Sequence, residues 1–556
     1  MSTLEPPSIR FLPSRRSRRW AAAAALALIA GTAPSFLRPF VNDEATYVLV
    51  AQKLNAGALL YRQAVDNKPP LMYATFAALF RILPAASANG VKVMTLAVQF
   101  ACAALVLVIG RRLFGARVGA VAGLFFSCAA VSGLAEDFAA PNTEIYANLF
   151  ILTAVALLCR QPDRPARRTL VAAGILVSVA SLYRLQSVAA LLGVWIHLWC
   201  GAHPRRQRVG AMAIIALGFA VPLGLCVAYF WARGTAADLW LWAVRNNLSY
   251  VRVGEARVGW RVLGRIALVS LAQFPLLVVA VRAASRWRAT NEPDRARLRL
   301  VLLQLVTALA AYRTGSRFYG HYFVQAVPFL ALTAAWGFVN LPRQRQPWLR
   351  FVPHLLVVEL LGFALVNSAR LGAQPDTGDL KPALAFIKAE TAPGDEVLLW
   401  SAPAELALES GRRFATRFPF NNYLTGRMFG TNLVRPETTR AIARPFESAE
   451  AWRLLVRDLT EAPPAIILDA SPTQFEIASY PALAAFLRQY DPPRRIGRLL
   501  AYRRAQEAAA YCSPEPETDE VEPAFSAEGR AMISSGRGAV RKPNFSYSCR
   551  ASRDRS

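Results

Sequence analysis

The chain has 556 residues, of which 54% are hydrophobic and only 18% charged, and its mean hydropathy of +0.28 is too high for an ordinary soluble protein. A net charge of +28 would suit a nucleic-acid binder, but the arginines fall in short clusters between apolar runs, the pattern of loops on the inner side of a membrane, so no nucleic-acid partner is expected. Five of the seven cysteines (Cys102, Cys128, Cys159, Cys200 and Cys226) lie in or beside apolar runs, and Cys512 and Cys549 lie near the C-terminus, so neither a zinc pattern nor a disulfide framework is implied.

Residues 1–19 are basic, and Arg15, Arg16, Arg18 and Arg19 precede an Ala-rich run from Ala21, which reads as an uncleaved signal anchor with a cytoplasmic N-terminus. Apolar runs able to cross a bilayer as helices are expected at 20–41, 91–110, 117–134, 145–160, 168–183, 186–201, 209–231, 262–281, 299–312, 321–340 and 351–369. Starting inside, alternate loops carry Arg111 and Arg112, Arg164 to Arg168, Arg205 to Arg208, Arg282 to Arg299, and Arg343 to Arg350, and each is basic, as inner loops should be. An odd number of crossings then places the chain after Leu371 outside.

The first outer loop, 42–90, holds an apolar segment after Pro69-Pro70 that is too short to span, and is expected to form short interfacial helices. A second outer loop carries Glu136, Asp137 and Glu144, and a third mixes Trp240 and Trp242 with Arg245, Asn246, Asn247, Tyr250 and Arg252. From 372 to 506 the pattern changes to soluble α/β, with helices near 380–390, 405–410 and 449–459 and strands at 396–400, 465–469 and about 498–503. The stretch 507–556 lacks apolar periodicity and is expected to be disordered. The fold class is therefore a polytopic α-helical membrane protein with about eleven spanning helices and a small outer α/β domain.

Group transfer from a phosphate leaving group needs a carboxylate to take a hydroxyl proton and cations to hold the departing phosphate. Asp43-Glu44 follows the first expected span and Glu136-Asp137 the third, which puts both acidic pairs on the outer face. On charge alone each pair reads first as solvating a helix end, with convergence on one site as the alternative. Lys68, Arg184, Arg245, Arg252, Arg313 and Arg317 are also expected outside, against the positive-inside tendency, and fit either lipid headgroups or a bound phosphate. His321 opens the tenth span, where it suits phosphate orientation, metal binding, proton transfer or a structural role. Glu359, an acid within the last apolar run, keeps membrane transport open as a different function class. No Gly-rich phosphate loop, serine-hydrolase elbow or Cys/His zinc pattern supports a soluble nucleotide-binding or hydrolase reading.

Three groups of residues converge on a family. Asn42-Asp43-Glu44-Ala45-Thr46-Tyr47, then Gly57 and Tyr61, then Asp66-Asn67-Lys68-Pro69-Pro70-Leu71 resemble the first outer loop of protein-mannosyltransferase-like GT-C glycosyltransferases, including bacterial aminoarabinose and galacturonic acid transferases. Gly315-Ser316-Arg317-Phe318-Tyr319-Gly320-His321-Tyr322-Phe323 is similar to the late outer-face motif of bacterial members. Ser410-Gly411-Arg412-Arg413, Thr416-Arg417-Phe418-Pro419 and Leu424-Thr425-Gly426 resemble the C-terminal domain of some of them.

The resemblance implies an inverting transferase in the bacterial inner membrane. It would move a monosaccharide from a polyprenyl-phosphate donor to a lipid A, glycolipid, polysaccharide or protein acceptor on the periplasmic face. It further implies Asp43 as the base, assisted by Glu44, an acceptor or metal region at Glu136 and Asp137, and donor-phosphate binding by Lys68, Arg317 and His321. Use of a divalent metal stays open. A lipid-linked oligosaccharide ligase or polymerase is the enzymatic alternative, and a transporter or flippase the non-enzymatic one; the latter would place its polar site at mid-membrane, often with internal repeats, and no repeat is visible.

Overall fold

Long apolar runs leave a chain in lipid little choice but helix, because each backbone N–H and C=O must be satisfied within the segment. The computed structural model describes residues 15–40, 43–83, 88–160, 165–248, 251, 260–342, 344, 346–372, 377–427, 440–444, 447–471 and 473–505. The helices of the apolar part are α1 (Arg15–Leu37), α2 (Asp43–Asn55), α3 (Leu71–Ile82), α4 (Ala88–Phe114), α5 (Ala116–Ala129), α6 (Thr143–Leu158), α7 (Arg167–Tyr183) and α8 (Ala189–Trp199). They continue with α9 (Arg205–Ala232), α10 (Trp260–Ala272), α11 (Phe274–Ser285), α12 (Glu292–Arg313), α13 (Val327–Asn340) and α14 (Val352–Gly372). Each expected span overlaps one of these helices or a consecutive pair, but the run expected at 321–340 is a continuous helix only from Val327, and His321 lies on a separate one-turn helix, Gly320–Phe323. Asn42, Tyr250, Arg252, Arg164, Arg343 and the expected disordered stretch with Cys512 and Cys549 lie outside the described residues.

Among the described residues four helices are long and apolar enough to cross a bilayer, at Arg19–Leu37, Asn89–Phe114, Arg205–Ala232 and Pro347–Leu371. The run expected at 262–281 is broken into α10 and α11, which meet at 81°. Gln273 sits at the break and its amide donates to the carbonyls of Ala129 and Ser132 at 3.0 and 3.1 Å, while Pro275 lies in the first turn of α11. Helices α5, α6 and α13 are shorter, at 14 to 16 residues. The first expected span reaches residue 41, but α1 ends at Leu37 and leaves Arg38 buried beyond it.

Helices α4, α5 and α13 pack together with α1 and α6, and α9 lies along α7. The α7–α9 crossing is close because Gly174 and Gly218 each face the other helix's backbone, where a Cβ would overlap a carbonyl oxygen. The short helices α2 and α3 pair with each other and lie within the segment 42–90, where short helices are expected.

The C-terminal part is α/β, as expected. It contains α15 (Thr377–Glu390), β1 (Glu396–Trp400), β2 (Arg413–Phe414), α16 (Ala449–Glu461), β3 (Ile466–Asp469), β4 (Arg494–Ile496) and β5 (Leu499–Arg503). The sheet order is β2-β1-β3-β5-β4, with β1 parallel to β2 and β3 and the last strands antiparallel. The fully buried run Ile466-Ile467-Leu468 explains why β3 is central. Strands β2 and β4 are only two and three residues long, too short for periodicity to announce them. Helix α16 is capped by Ser448, whose side chain accepts from the Ala451 N–H, and buries Ala451, Leu455 and Leu459 along one stripe, leaving Asp458 at the edge of that stripe.

Candidate active site

Two carboxylates open α2, where the unpaired backbone N–H groups of a first helical turn favour negative charge. Successive side chains on a helix point about 100° apart, so Asp43 and Glu44 leave in different directions. The Asp43 carboxylate faces Lys68, with Oδ2 at 3.2 Å from Nζ, and accepts from the Tyr47 hydroxyl one turn on at 3.3 Å. Burial pushes the Asp43 carboxyl up, but Lys68, His321 and the hydrogen bonds from Lys68 and Tyr47 outweigh it and hold the group below its ordinary value. Glu44 points back into the bundle, pairing with buried Arg38 at 2.5 Å, while Lys92 donates to the Arg38 carbonyl. Burial raises Glu44 to about 7 against the pull of Arg38 and Lys92.

The Lys68 loop is tied down locally. The Tyr61 hydroxyl donates to the Lys68 carbonyl at 2.7 Å, Tyr73 donates to Asp66 at 2.6 Å, and the Asp66 carboxylate also accepts from the Asn67 N–H. Asn247 reaches across to the Asn67 carbonyl. Tyr61 holds a left-handed φ of 66°, and its N–H donates to the Ala64 carbonyl, which curls the loop so that Lys68 returns to Asp43.

The second acidic pair is divided in the same way. Glu136 and Asp137 sit on the one-turn helix Ala135–Phe138. Glu136 pairs with Arg370 of α14 at 2.7 Å, whereas Asp137 accepts from both the backbone N–H and the ring Nδ1 of His321, at 3.0 and 2.9 Å. Gly320 makes that approach feasible, since a Cβ there would overlap the Asp137 carboxylate. Asn142 donates to the carbonyls of Glu136 and Asp137, and Asn367 of α14 bonds the Ala135 N–H and the Gly133 carbonyl, fixing the turn from both sides.

The backbone before His321 is strained, with positive φ at Gly315, Ser316 and Phe318. This turn buries Arg317, which is 1% exposed, and presents its carbonyl to Arg265 Nη1 at 3.0 Å. Arg265 also stacks over the Tyr319 ring, which in turn lies parallel to the His321 ring. Tyr322 packs over Arg184, which forms a buried pair with Glu144, and lies within electrostatic reach of Arg317 and Asp43.

The Asp43–Lys68 and Asp137–His321 pairs therefore lie within electrostatic reach of each other, with Arg317 and Asp43 both in reach of Tyr322, while Glu44 and Glu136 turn to Arg38 and Arg370. The mixture of a carboxylate, a histidine and several cations beside aromatic rings is suited to taking a proton from a hydroxyl and stabilising an anionic leaving group. Sequence reasoning gave no role to Arg265, Arg38, Lys92, Tyr47 or Tyr322. Arg265 and Lys92 each lie inside an expected span, and an ionisable residue there was the available signal. Glu359 sits in α14 within electrostatic reach of Cys128 of α5 and is not part of this group. Among the described residues no three His, Cys, Asp or Glu side chains converge as metal ligands; Lys68 faces Asp43 and His321 faces Asp137.

No family model and no curated protein matches this sequence. The fold does have solved counterparts. ArnT from Cupriavidus metallidurans bound to undecaprenyl phosphate aligns with a TM-score of 0.59 and 14% identity over 90% of this chain and 100% of that one. Its apo state gives 0.59 and 15% over the same shares. The oligosaccharyltransferase of Archaeoglobus fulgidus, tethered with an acceptor peptide, gives 0.50 and 11%, covering 88% of this chain and 74% of that one. The chain thus shares the fold of these structures.

Proposed function

We propose that this GT-C chain is an inverting glycosyltransferase, which moves a monosaccharide from a polyprenyl-phosphate donor to a hydroxyl of a cell-envelope acceptor on the outer face of a bacterial inner membrane. The observation that carries the reading is Asp43, a carboxylate paired with Lys68 and held ionised by Lys68 and by the electrostatic reach of His321. The likeness to a structure that binds undecaprenyl phosphate supports the donor class.

In this reading the acceptor hydroxyl attacks the anomeric carbon as the bond to the phosphate oxygen breaks, and the electron pair of that bond leaves with the phosphate. Asp43 takes the hydroxyl proton. A carboxylate held low is a weak base, so it serves by orienting the hydroxyl and accepting the proton as the new bond forms. Lys68, Arg317 and His321 oppose the charge gathering on the departing phosphate, with Arg265 added to this group because it braces both Arg317 and Tyr319. Glu44 and Glu136 shape the acceptor side through Arg38 and Arg370. A single displacement gives inversion without a covalent sugar-enzyme intermediate.

The test is transfer by the purified protein in lipid, supplied with a panel of polyprenyl-phosphate sugars and cell-envelope acceptors and read by mass spectrometry. Wild type is expected to transfer, and a folded Asp43→Asn variant to lose about 100- to 10,000-fold in rate. Equal rates would remove Asp43 as the base, and no transfer across a validated panel would favour transport.

A further inference from the structure

The motif Thr416-Arg417-Phe418-Pro419 lies in the α/β part, yet its bonds run to the loop that carries Lys68. We propose that Arg417, oriented by Asp458, is a positioning residue: from the C-terminal domain it sets the register of the Lys68 loop against Asp43. This inference rests on the transfer reaction proposed above.

The Arg417 guanidinium is a fork used in two directions. Nε and Nη2 hold the Asp458 carboxylate at 2.9 and 2.5 Å, and the Arg417 backbone N–H also donates to Asp458 at 3.0 Å. Nη1 donates to the Arg62 carbonyl at 2.7 Å. In return the Val65 N–H donates to the Arg417 carbonyl at 2.7 Å, so one residue grips the loop at both ends of its bend. Arg417 is 6% exposed, and a buried ion pair is a costly way to gain stability, which suits a role in fixing one arrangement of the chain.

From Val65 the path to the charge pair is short. Asp66 is pinned to Tyr73, the Lys68 carbonyl to Tyr61, and the Lys68 ammonium meets Asp43. Lys53, on the helix that begins with Asp43, donates to the Thr416 carbonyl, so the same motif grips both elements that carry the pair. Trp242, fully buried, packs against Phe418 and Tyr423 and closes the contact from the bundle side. A displacement of about 1 Å at reacting groups costs on the order of 100-fold in rate, so the domain's grip bears on chemistry as well as on docking.

The experiment uses the full chain in lipid and compares wild type with Arg417→Lys, Arg417→Leu and Asp458→Asn by amide hydrogen exchange over residues 60–68 and by the pH dependence of sugar transfer. The expected result is folded protein whose Val65 region exchanges at least about tenfold faster, whose kcat/KM falls about 10- to 100-fold, and whose acid limb moves to higher pH as Lys68 leaves Asp43. In a Lys68→Met background, Arg417→Lys should have little further effect. Unchanged exchange, an unmoved acid limb, or an undiminished effect in the Lys68→Met background would overturn the proposal and leave Arg417 a docking anchor. Should Arg417→Leu fail to fold, Asp458→Asn carries the same comparison. If wild type transfers no sugar, the exchange result still decides the grip, and the failure falls on the transfer reading alone.

Discussion

Asp137 holds His321 twice, by the backbone N–H at 3.0 Å and by the ring Nδ1 at 2.9 Å, through the same carboxylate oxygen. A carboxylate only accepts, so Nδ1 carries the hydrogen and Nε2 is the nitrogen left for chemistry. Its neighbour Glu136 serves Arg370 instead. Asp137→Asn should therefore lower the transfer rate about 10- to 100-fold by freeing the ring, whereas Glu136→Gln should cost less than about threefold, since its partner is half-exposed. Steady-state transfer rates of the two variants side by side decide this, and equal losses would refute the division of roles.

Gly320 offers an independent route to the same contact. Gly320→Ala adds only a methyl group, but that methyl overlaps the Asp137 carboxylate and must push it from His321. The expected outcome is a rate loss close to that of Asp137→Asn, with thermal unfolding changed by no more than a few degrees, measured by transfer assays and a thermal melt of the same preparations.

Lys68 and Asp43 govern the pH response. With Lys68 in place the Asp43 carboxyl lies below its ordinary value of 3.8, so the base is ionised throughout the neutral range and transfer falls only in strong acid. Lys68→Met removes the largest lowering influence and leaves burial to raise the group. The acid limb of the kcat/KM profile should shift upward, together with a lower plateau from the loss of the proposed phosphate contact; a pH–rate series across pH 4 to 8 reads both.

Glu44 makes the fold itself sensitive to pH. Burial raises its carboxyl from 4.5 to about 7, so the protonated form is the one the folded state favours. Its stabilising contribution is complete below 4.5 and is lost as the pH rises through about 7. Glu44→Gln stays neutral and lacks this dependence, so the difference in Tm between wild type and variant should change across that window. Arg38→Met should instead raise the Glu44 carboxyl further, because burial is then opposed only by Lys92, and so move the loss of stability to higher pH. Thermal melts at pH 5 and 8 separate the two effects.

The outer-loop motifs and apolar runs carried most of this fold in plain view. Runs such as Ala88–Phe114 and Arg205–Ala232 become helices wherever they pack, because in lipid the backbone has no other partner for its polar groups. Composition likewise marked the change at the C-terminal α/β part, where β1, β3 and β5 lie on their expected runs. The break at Gln273 was not legible, since it depends on carbonyls of Ala129 and Ser132, more than a hundred residues away.

Sequence by itself determined which residues carry charge near the ends of apolar runs, among them Asp43, Lys68, Asp137 and His321. Tertiary structure alone decided their partners. Asp43 and Glu44 are adjacent in the chain and chemically alike, yet one meets Lys68 and the other Arg38, because a helix turns successive side chains apart and the surrounding packing supplies a different cation on each side. The same holds for Arg417, whose bonds to Asp458 and Arg62 join segments 41 and 355 residues distant. Local periodicity encodes the direction in which a side chain leaves its own element, but not what the rest of the chain has brought to meet it.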